Sequence, residues 1–557
     1  MTAPSESPSI WNRVVIAILV TETAERMAYF GFRAILVLYF HNGLGLSESL
    51  SVSLFGGVSC GAYFSPLVGA LLADSSWGRY HTILTFSTLY TIGLCFLTLG
   101  AYQVSSVGRS RNQEDPNTNP EHVEATDNLL YEKVATFLGL FLVCLGTGGI
   151  KPCVSAFGAD QIALGESNER RKRNDTHSDH RKNSDDFEES MEQEQHVEEL
   201  QLQSAQEDIS RFFNSFYFCI NLGALSSFAI IPIIRSNFGF GAAFLVPTIF
   251  MSTALLVFLS QRRQYKHRIH NLSQPPLSRV LRHCVSLLWS RRGYRQVPIS
   301  ARKENGRRGE ESQDGIMTSI DLVIHEDAQQ VLHLMPVMLL FPVFWMLYDQ
   351  QGSVWTLQAT RLNLHGLQPE QLQFLNPLQI MIFIPLFDQI VYPLMDHCGF
   401  DIKPLRRMEY GMGFAVLSFL TSALLEHFIQ TRPTNSVSLG WQIPQITILT
   451  VSEIFLNITG LEFAYSQAPG NMQALILALY LFMTAIGDGL AAFLFATFFS
   501  HLSTAVTMII CAICMTANTL LFRFVARRWK PYQDHRVILE EVDEGLQLGI
   551  VNPKDMS

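Results

Sequence analysis

The stretch Glu22-Thr-Ala-Glu25-Arg26-Met-Ala-Tyr29-Phe30-Gly31-Phe-Arg33 lies inside an apolar run from about Ile10 to Phe40. At about 100° per residue, Glu22, Glu25, Arg26, Tyr29 and Arg33 fall on a helical stripe about 100° wide, while Val14, Ile18, Leu19 and Ala28 cover the rest. The run is long enough to cross a bilayer, and each ionised group near its centre costs about 2.5–3.5 kcal/mol on insertion scales. Snorkelling to the headgroups would suit Arg33 near the far end, but Glu22 and Glu25 are too short to reach out. Carboxylates and guanidinium groups on one face therefore demand a polar cavity and mutual pairing, the hallmark of an intramembrane proton or ion site.

Working outward, the whole chain has the composition of a membrane protein. Of 557 residues 48% are hydrophobic and 16% charged, with 39 Phe and a mean hydropathy of +0.18. The apolar residues clump into twelve expected spans: 10–40, 48–73, 80–104, 130–159, 209–235, 241–260, 330–351, 371–396, 406–428, 441–465, 471–497 and 499–526. The first carries no small-residue cleavage site, so no removable signal peptide is expected. Basic residues gather on one set of loops: Arg79 and His81, the 262–308 segment, Lys403, Arg406 and Arg407, then Arg523, Arg527, Arg528 and Lys530. By the positive-inside rule those loops and both termini are cytoplasmic.

The net charge of -9 is local rather than global, because residues 166–208 hold fourteen acidic and six basic side chains. The expected organisation is spans 1–4 over 1–160, a charged and unstructured cytoplasmic insert over 161–208, and spans 5–6 over 209–260. A cytoplasmic linker over 261–329 follows, then spans 7–12 over 330–526 and a cytoplasmic tail over 527–557. Within the linker, Leu277, Val280, Leu281, Val285, Leu287, Leu288 and Trp289 mix with Arg279, Arg282, Arg291 and Arg292, the pattern of a basic amphipathic helix on the inner leaflet. The nine cysteines form no paired ligand motif and read as small apolar residues.

Four further stretches carry polar chemistry within or beside spans. Span 2 carries Tyr63 and ends in Gly69-Ala-Leu-Leu-Ala-Asp74-Ser-Ser-Trp-Gly78-Arg79, whose Asp74 and Arg79 flank a short turn. Span 4 reads Gly146-Thr-Gly-Gly149-Ile-Lys151-Pro152, where small residues allow close helix approach and the proline loosens the backbone around a lysine. An ammonium there needs a partner, and the carboxylates of span 1 are the nearest candidates in the same half. In span 5, Tyr217 and Asn221 lie four apart on one face, fit either to bond a ligand or to join helices.

These blocks together resemble the proton-coupled oligopeptide transporters of the major facilitator superfamily. The span 1 stretch is similar to that family's E-x-x-E-R-x-x-Y-Y-G signature, with Phe30 for the second tyrosine. Span 4 resembles its GTGGIKPxVSAFGADQ block and span 5 its FFNxFYxxINLGAL block. Phe344-Trp345-Met-Leu-Tyr348-Asp349-Gln350-Gln351-Gly resembles its seventh helix, Leu375-Asn376-Pro377 its eighth, and Glu453 with Gly460-Leu-Glu462-Phe-Ala-Tyr465 its tenth. The resemblance covers nearly every span and stops at the two inserts and the tail.

It implies an all-α major facilitator fold of two six-helix bundles that imports di- and tripeptides with protons by alternating access. Carried over position by position, Glu22, Glu25, Arg26 and Lys151 form the proton-coupling network. Tyr29, Arg33, Tyr63, Asn221, Trp345, Asn376 and Glu453 line the substrate site, and Asp74, Arg79, His333 and Asp349 are gating candidates. A zwitterionic peptide needs a cation, Arg33 or Lys151, for its carboxylate and an anion, Glu453, for its ammonium. Those charges belong to opposite halves of the chain.

The chain also departs from the family pattern. Gly56 stands where intestinal-type members place a histidine, and His333 stands where they place an arginine, so a pairing of His333 with Asp349 would depend on pH. Asp488 replaces a more usual asparagine, and only residues 428–440 join spans 9 and 10. A symporter of another small solute, such as histidine, nitrate or a peptide-like metabolite, or a non-transporting nutrient receptor, stays open. No phosphate-binding loop, metal cluster or nucleophile–base pair points to an enzyme. The expected partners are small peptides, protons and the lipid bilayer, not nucleic acid, and the driving force is a proton gradient rather than a cofactor. Oligomeric state is not legible, and either the plasma membrane or an endolysosomal membrane fits.

Overall fold

A computed structural model describes residues 12–73, 77–111, 124–162, 187–266, 283–284, 319–400, 402–468 and 473–531. Twelve helical spans follow in chain order. The first six are α1 (Arg13–Leu38, closing in a π turn Tyr39–Gly43), α2 (Glu48–Ala73), α3 (Gly78–Arg111), α4 (Glu124–Ile150, resuming to Ile162), and α5 and α6, the two parts of Phe187–Ser260. The second six are α7 (Ser319–Met338 and Phe341–Ala359), α8 (Pro369–His397), α9 (Pro404–Thr431), α10 (Leu439–Ser466), α11 (Gln473–Thr497) and α12 (Thr504–Arg528). The described residues contain no β-strand, only an isolated bridge between Asn363 and Ser438 that ties the α7–α8 and α9–α10 loops together.

Local chemistry sets the ends and breaks. Asn12 caps α1 by accepting from Val15 N at 2.9 Å, and Ser503 caps α12 by accepting from Val506 N at 3.4 Å. Between α5 and α6 the chain turns at Gly239 (φ 86°, ψ 178°), a conformation open to glycine and closed to residues with a Cβ. α7 bends by 50° between Met338 and Phe341, where Pro336 and Pro342 each remove a backbone donor. α10 changes to a π turn, Ile454–Ile458, directly after Glu453.

The first six helices pack as one bundle and the last six as another. Small residues bring backbones together: a Cβ on Gly69 of α2 would sit 2.0 Å from the carbonyl oxygen of Gly148 in α4. Hydroxyls add interhelical bonds, among them Ser65 Oγ to Cys144 O (2.6 Å), Ser227 Oγ to Met27 O (2.7 Å) and Ser452 Oγ to Gly411 O (2.6 Å). Large apolar side chains cover the outside, with Leu256 67% and Phe493 64% exposed, as expected of helices solvated by lipid.

The bundles meet at the end that carries the α1–α2, α5–α6, α7–α8 and α11–α12 loops. Arg33 pairs with Asp349 at 2.5 Å, Ser53 Oγ donates to Ala492 O at 2.7 Å, and Gln371 Nε2 donates to Ala229 O at 3.2 Å. Arg235 at the end of α5 grips Glu370 at the start of α8, with Nη2 at 3.2 Å from Oε2 and a second contact from Nε. Farther along α2 and α11 toward the termini, Phe64 and Phe482 touch at 5.8 Å.

One expectation is corrected here. The insert read as unstructured over 161–208 is helical from Phe187 onward and runs into α5 without a break. Its Glu, Gln, Leu and Met residues have high helix propensity, so a span that is already helical extends through them at little cost. Residues 163–186 and nearly all of the 277–292 stretch lie outside the described residues.

Candidate functional site

The charged face of α1 points into its own bundle. Arg26 Nε donates to Glu22 Oε1 at 2.8 Å, one helical turn back, and stands 2.7 Å from Glu25 Oε2. All three side chains are buried. Gly223 of α5 makes room for this cluster, since a Cβ there would lie 2.8 Å from Arg26 Cβ.

Lys151 reaches the same region from α4. The helix is interrupted at 151–153 because Pro152 has no N–H, and Lys151 N still bonds to Thr147 O at 3.2 Å. Its ammonium lies 4.1 Å from the ring centre of Tyr29 and 3.8 Å from that of Tyr63, and among the described residues Nζ has no hydrogen-bond partner. The carboxylate pairing expected for Lys151 is therefore replaced by two aromatic faces. The reason is local: Arg26 sits one residue from Glu25 and one turn from Glu22 and takes both carboxylates, leaving Lys151 within their electrostatic reach but unpaired.

A third group closes the loop end. Arg33 bonds to Ser59 Oγ at 3.3 Å, covers the Phe55 ring at 4.8 Å and pairs with Asp349 across the bundles. This overturns the expected pairing of His333 with Asp349. Sixteen residues of helix separate those two by about 24 Å, so they occupy opposite ends of α7. His333 instead bonds through Nε2 to Lys530 O at 2.7 Å and lies against the Trp529 ring at 5.7 Å.

In the second bundle the polar groups converge on Glu453. Asn376 Nδ2 donates to Glu453 Oε2 at 2.9 Å and to Thr450 Oγ1 at 3.2 Å, while Asn457 Nδ2 lies 3.4 Å from Glu453 Oε1. Tyr348 donates to Asn376 Oδ1 at 3.3 Å and Tyr480 to Asn457 Oδ1 at 2.9 Å. Trp345 packs edge-on against Tyr348 at 5.3 Å, its Nε1 buried without a partner. Among the described residues no cation pairs with Glu453. Across the gap, Tyr217 of α5 lies within its electrostatic reach, and Asn221 donates Nδ2 back to Tyr217 O at 3.0 Å.

Among the described residues the arrangement is thus an ammonium without a carboxylate in one bundle, framed by aromatic rings, and a carboxylate without a cation in the other, held by amides. The gating candidates distribute differently. Arg79 pairs with Asp160 at the end of α4 and also reaches Ala156 O at 3.3 Å, whereas Asp74 lies outside the described residues. Reasoning from sequence missed Arg235, Glu370 and Asp160 as partners. No group of three or more potential metal ligands occurs among the described residues.

Comparison with known proteins places this geometry. Solute carrier family 15 member 1 of Mus musculus is 32% identical over 449 residues, covering 78% of this chain and 55% of that protein. Peptide transporter family 1 of Drosophila melanogaster is 33% identical over 436 residues, covering 75% of this chain and 48% of its own. The chain spans about half the length of these curated relatives. Among solved structures, the POT family transporter PepTSo superposes with a TM-score of 0.69 at 24% identity, covering 93% of this chain and 98% of that one. An auto-inhibited POT family peptide transporter superposes with a TM-score of 0.68 at 23% identity, covering 94% and 98%. These likenesses establish the two-bundle major facilitator fold in an integral, multi-pass membrane protein. The model of the POT family matches residues 80–530, and with that match and the relatives a third identical to it the chain belongs to the POT family.

Proposed function

We propose that the protein is a proton-driven symporter that imports di- and tripeptides by alternating access, with both termini cytoplasmic. One observation carries the reading: Lys151 in the first bundle has no carboxylate, and Glu453 in the second has no cation among the described residues. A peptide with free ends presents the complementary pair of charges, so one ligand can draw both bundles together. The amides of Asn221 and Asn376 suit backbone groups rather than particular side chains, which fits broad substrate selectivity. The relatives named for peptide transport support the same substrate class.

Loop basicity orients the molecule so that the closed loop end faces outward, and the conformation is then inward-facing. Proton coupling follows from the α1 cluster. While Glu22 and Glu25 are ionised they hold Arg26; protonation weakens that grip and leaves Arg26 and Lys151 to meet the peptide carboxylate. The plasma membrane and an endolysosomal membrane both suit this chemistry. The test is uptake of a labelled dipeptide into proteoliposomes under an imposed inward proton gradient. Accumulation above the external concentration that unlabelled dipeptides compete away is the expected result. Uptake that ignores both the gradient and the competitor would refute the reading.

A further inference from the structure

We infer that Tyr480 and Asn457 are positioning residues for Glu453: they fix how its carboxylate faces and thereby how strongly the second bundle takes an ammonium group. The inference rests on the reading of Glu453 as the anion that meets the amino end of a peptide.

The two oxygens of Glu453 are held by separate arms. Asn376 of α8 donates Nδ2 to Oε2 at 2.9 Å, and its own Oδ1 accepts from the Tyr348 hydroxyl of α7 at 3.3 Å. Asn457, one turn along α10, places Nδ2 3.4 Å from Oε1, and its Oδ1 accepts from the Tyr480 hydroxyl of α11 at 2.9 Å. Each arm thus runs from a tyrosine hydroxyl on a neighbouring helix, through an amide, to one carboxylate oxygen.

The chemistry of an amide makes the tyrosine necessary. An ionised carboxylate only accepts, so Asn457 must turn Nδ2 toward it, and Oδ1 then points the other way and needs a donor. The Tyr480 hydroxyl supplies it. The same hydroxyl lies 3.1 Å from the backbone oxygen of Asn457, inside the π turn Ile454–Ile458 that follows Glu453. It therefore grips the backbone and the side chain of one residue and fixes the amide relative to the turn. The phenol is itself immobilised: it is buried, with its ring edge-on to Phe341 at 5.5 Å and to Trp345 at 6.4 Å. A Cβ on Gly460 would come within 3.2 Å of the hydroxyl oxygen, so glycine at that position leaves the hydroxyl its place.

With Asn376 alone, Glu453 would be tethered through Oε2 and Oε1 would be free to turn. The second arm removes that freedom, and an arriving ammonium meets a carboxylate that needs no reordering. Tyr480 acts through Asn457, and its effect belongs to ligand binding rather than turnover.

The test is calorimetric binding of alanyl-alanine to the purified full-length protein in wild type, Tyr480→Phe, Asn457→Ala and the double variant, with Asn457→Leu as a substitute of similar size should the alanine variant not fold. Loss of one hydrogen bond in the arm weakens binding about fivefold in Tyr480→Phe. Added to Asn457→Ala, the same substitution should weaken it no further. In uptake assays Tyr480→Phe should raise KM and leave kcat unchanged. Equal affinity of wild type and Tyr480→Phe, or an equal loss with and without Asn457, overturns the proposal. This binding pattern without proton-driven uptake leaves the arm standing and removes the symporter reading, whereas a wild type that binds no dipeptide removes both.

Discussion

The Arg235 and Glu370 pair makes a quantitative prediction for Glu370→Gln. Glu370 is fully buried, Arg235 is 15% exposed, and their two contacts join α5 to α8 across the bundle boundary. Breaking a buried pair outright costs about 3–5 kcal/mol because a charge is left unpaired. Glutamine keeps one neutral acceptor, and Gln368 Oε1 still holds Arg235 Nη2 at 3.1 Å, so the loss is about 2 kcal/mol. That favours opening of this end by about 30-fold, enough to raise an open fraction of about one in a hundred to about one in five. Spin labels at the exposed positions Asn42 and Leu367, on opposite bundles at the loop end, would read the change as a growing long-distance component. Distance distributions identical to wild type would show that the pair does not latch this end.

Lys151→Ala and Glu25→Gln should each collapse the accumulation ratio under a proton gradient to about one, since each removes a member of the α1–α4 charge cluster; continued uphill uptake in both would defeat that mechanism. Gly69→Val should lower the melting temperature of the purified protein. Its Cβ would stand 2.0 Å from Gly148 O and 2.9 Å from Gly149 Cα, backbone atoms that cannot swing aside, and overpacking of this kind costs about 1–3 kcal/mol. An unchanged melting temperature would mean that α2 and α4 separate more easily than their packing suggests.

What could be read without coordinates was whatever local spacing controls. Hydropathy marks the twelve spans because lipid-facing helices must be apolar along their whole length, and Glu22 and Arg26 announce their contact by standing one turn apart. Contacts set by tertiary packing left no such trace. Arg235 and Glu370 are separated by a large part of the chain and sit at helix ends, where charged residues are ordinary. Arg79 stands beside a short turn in the sequence, and nothing along the chain there reveals that its partner is Asp160 at the end of α4. The charge of Lys151 calls for a carboxylate, and nothing in its neighbours along the chain reveals that Tyr29 and Tyr63 bracket it. His333 and Asp349 belong to one span, so their pairing looked local, but α7 is long enough to hold them at opposite ends.

The triad of α1 also bears on how this helix enters a bilayer. Arg26 meets its two counterions inside the same helix, at 2.8 and 2.7 Å, without help from any later segment. α1 can therefore leave the translocon with Arg26 already paired and its two glutamates partly offset, before α4 has been synthesised, while Arg33 waits for Asp349 of α7. Substituting Arg26 alone would strand two carboxylates during biogenesis, a defect that expression level and membrane integration would register ahead of any assay of the finished molecule.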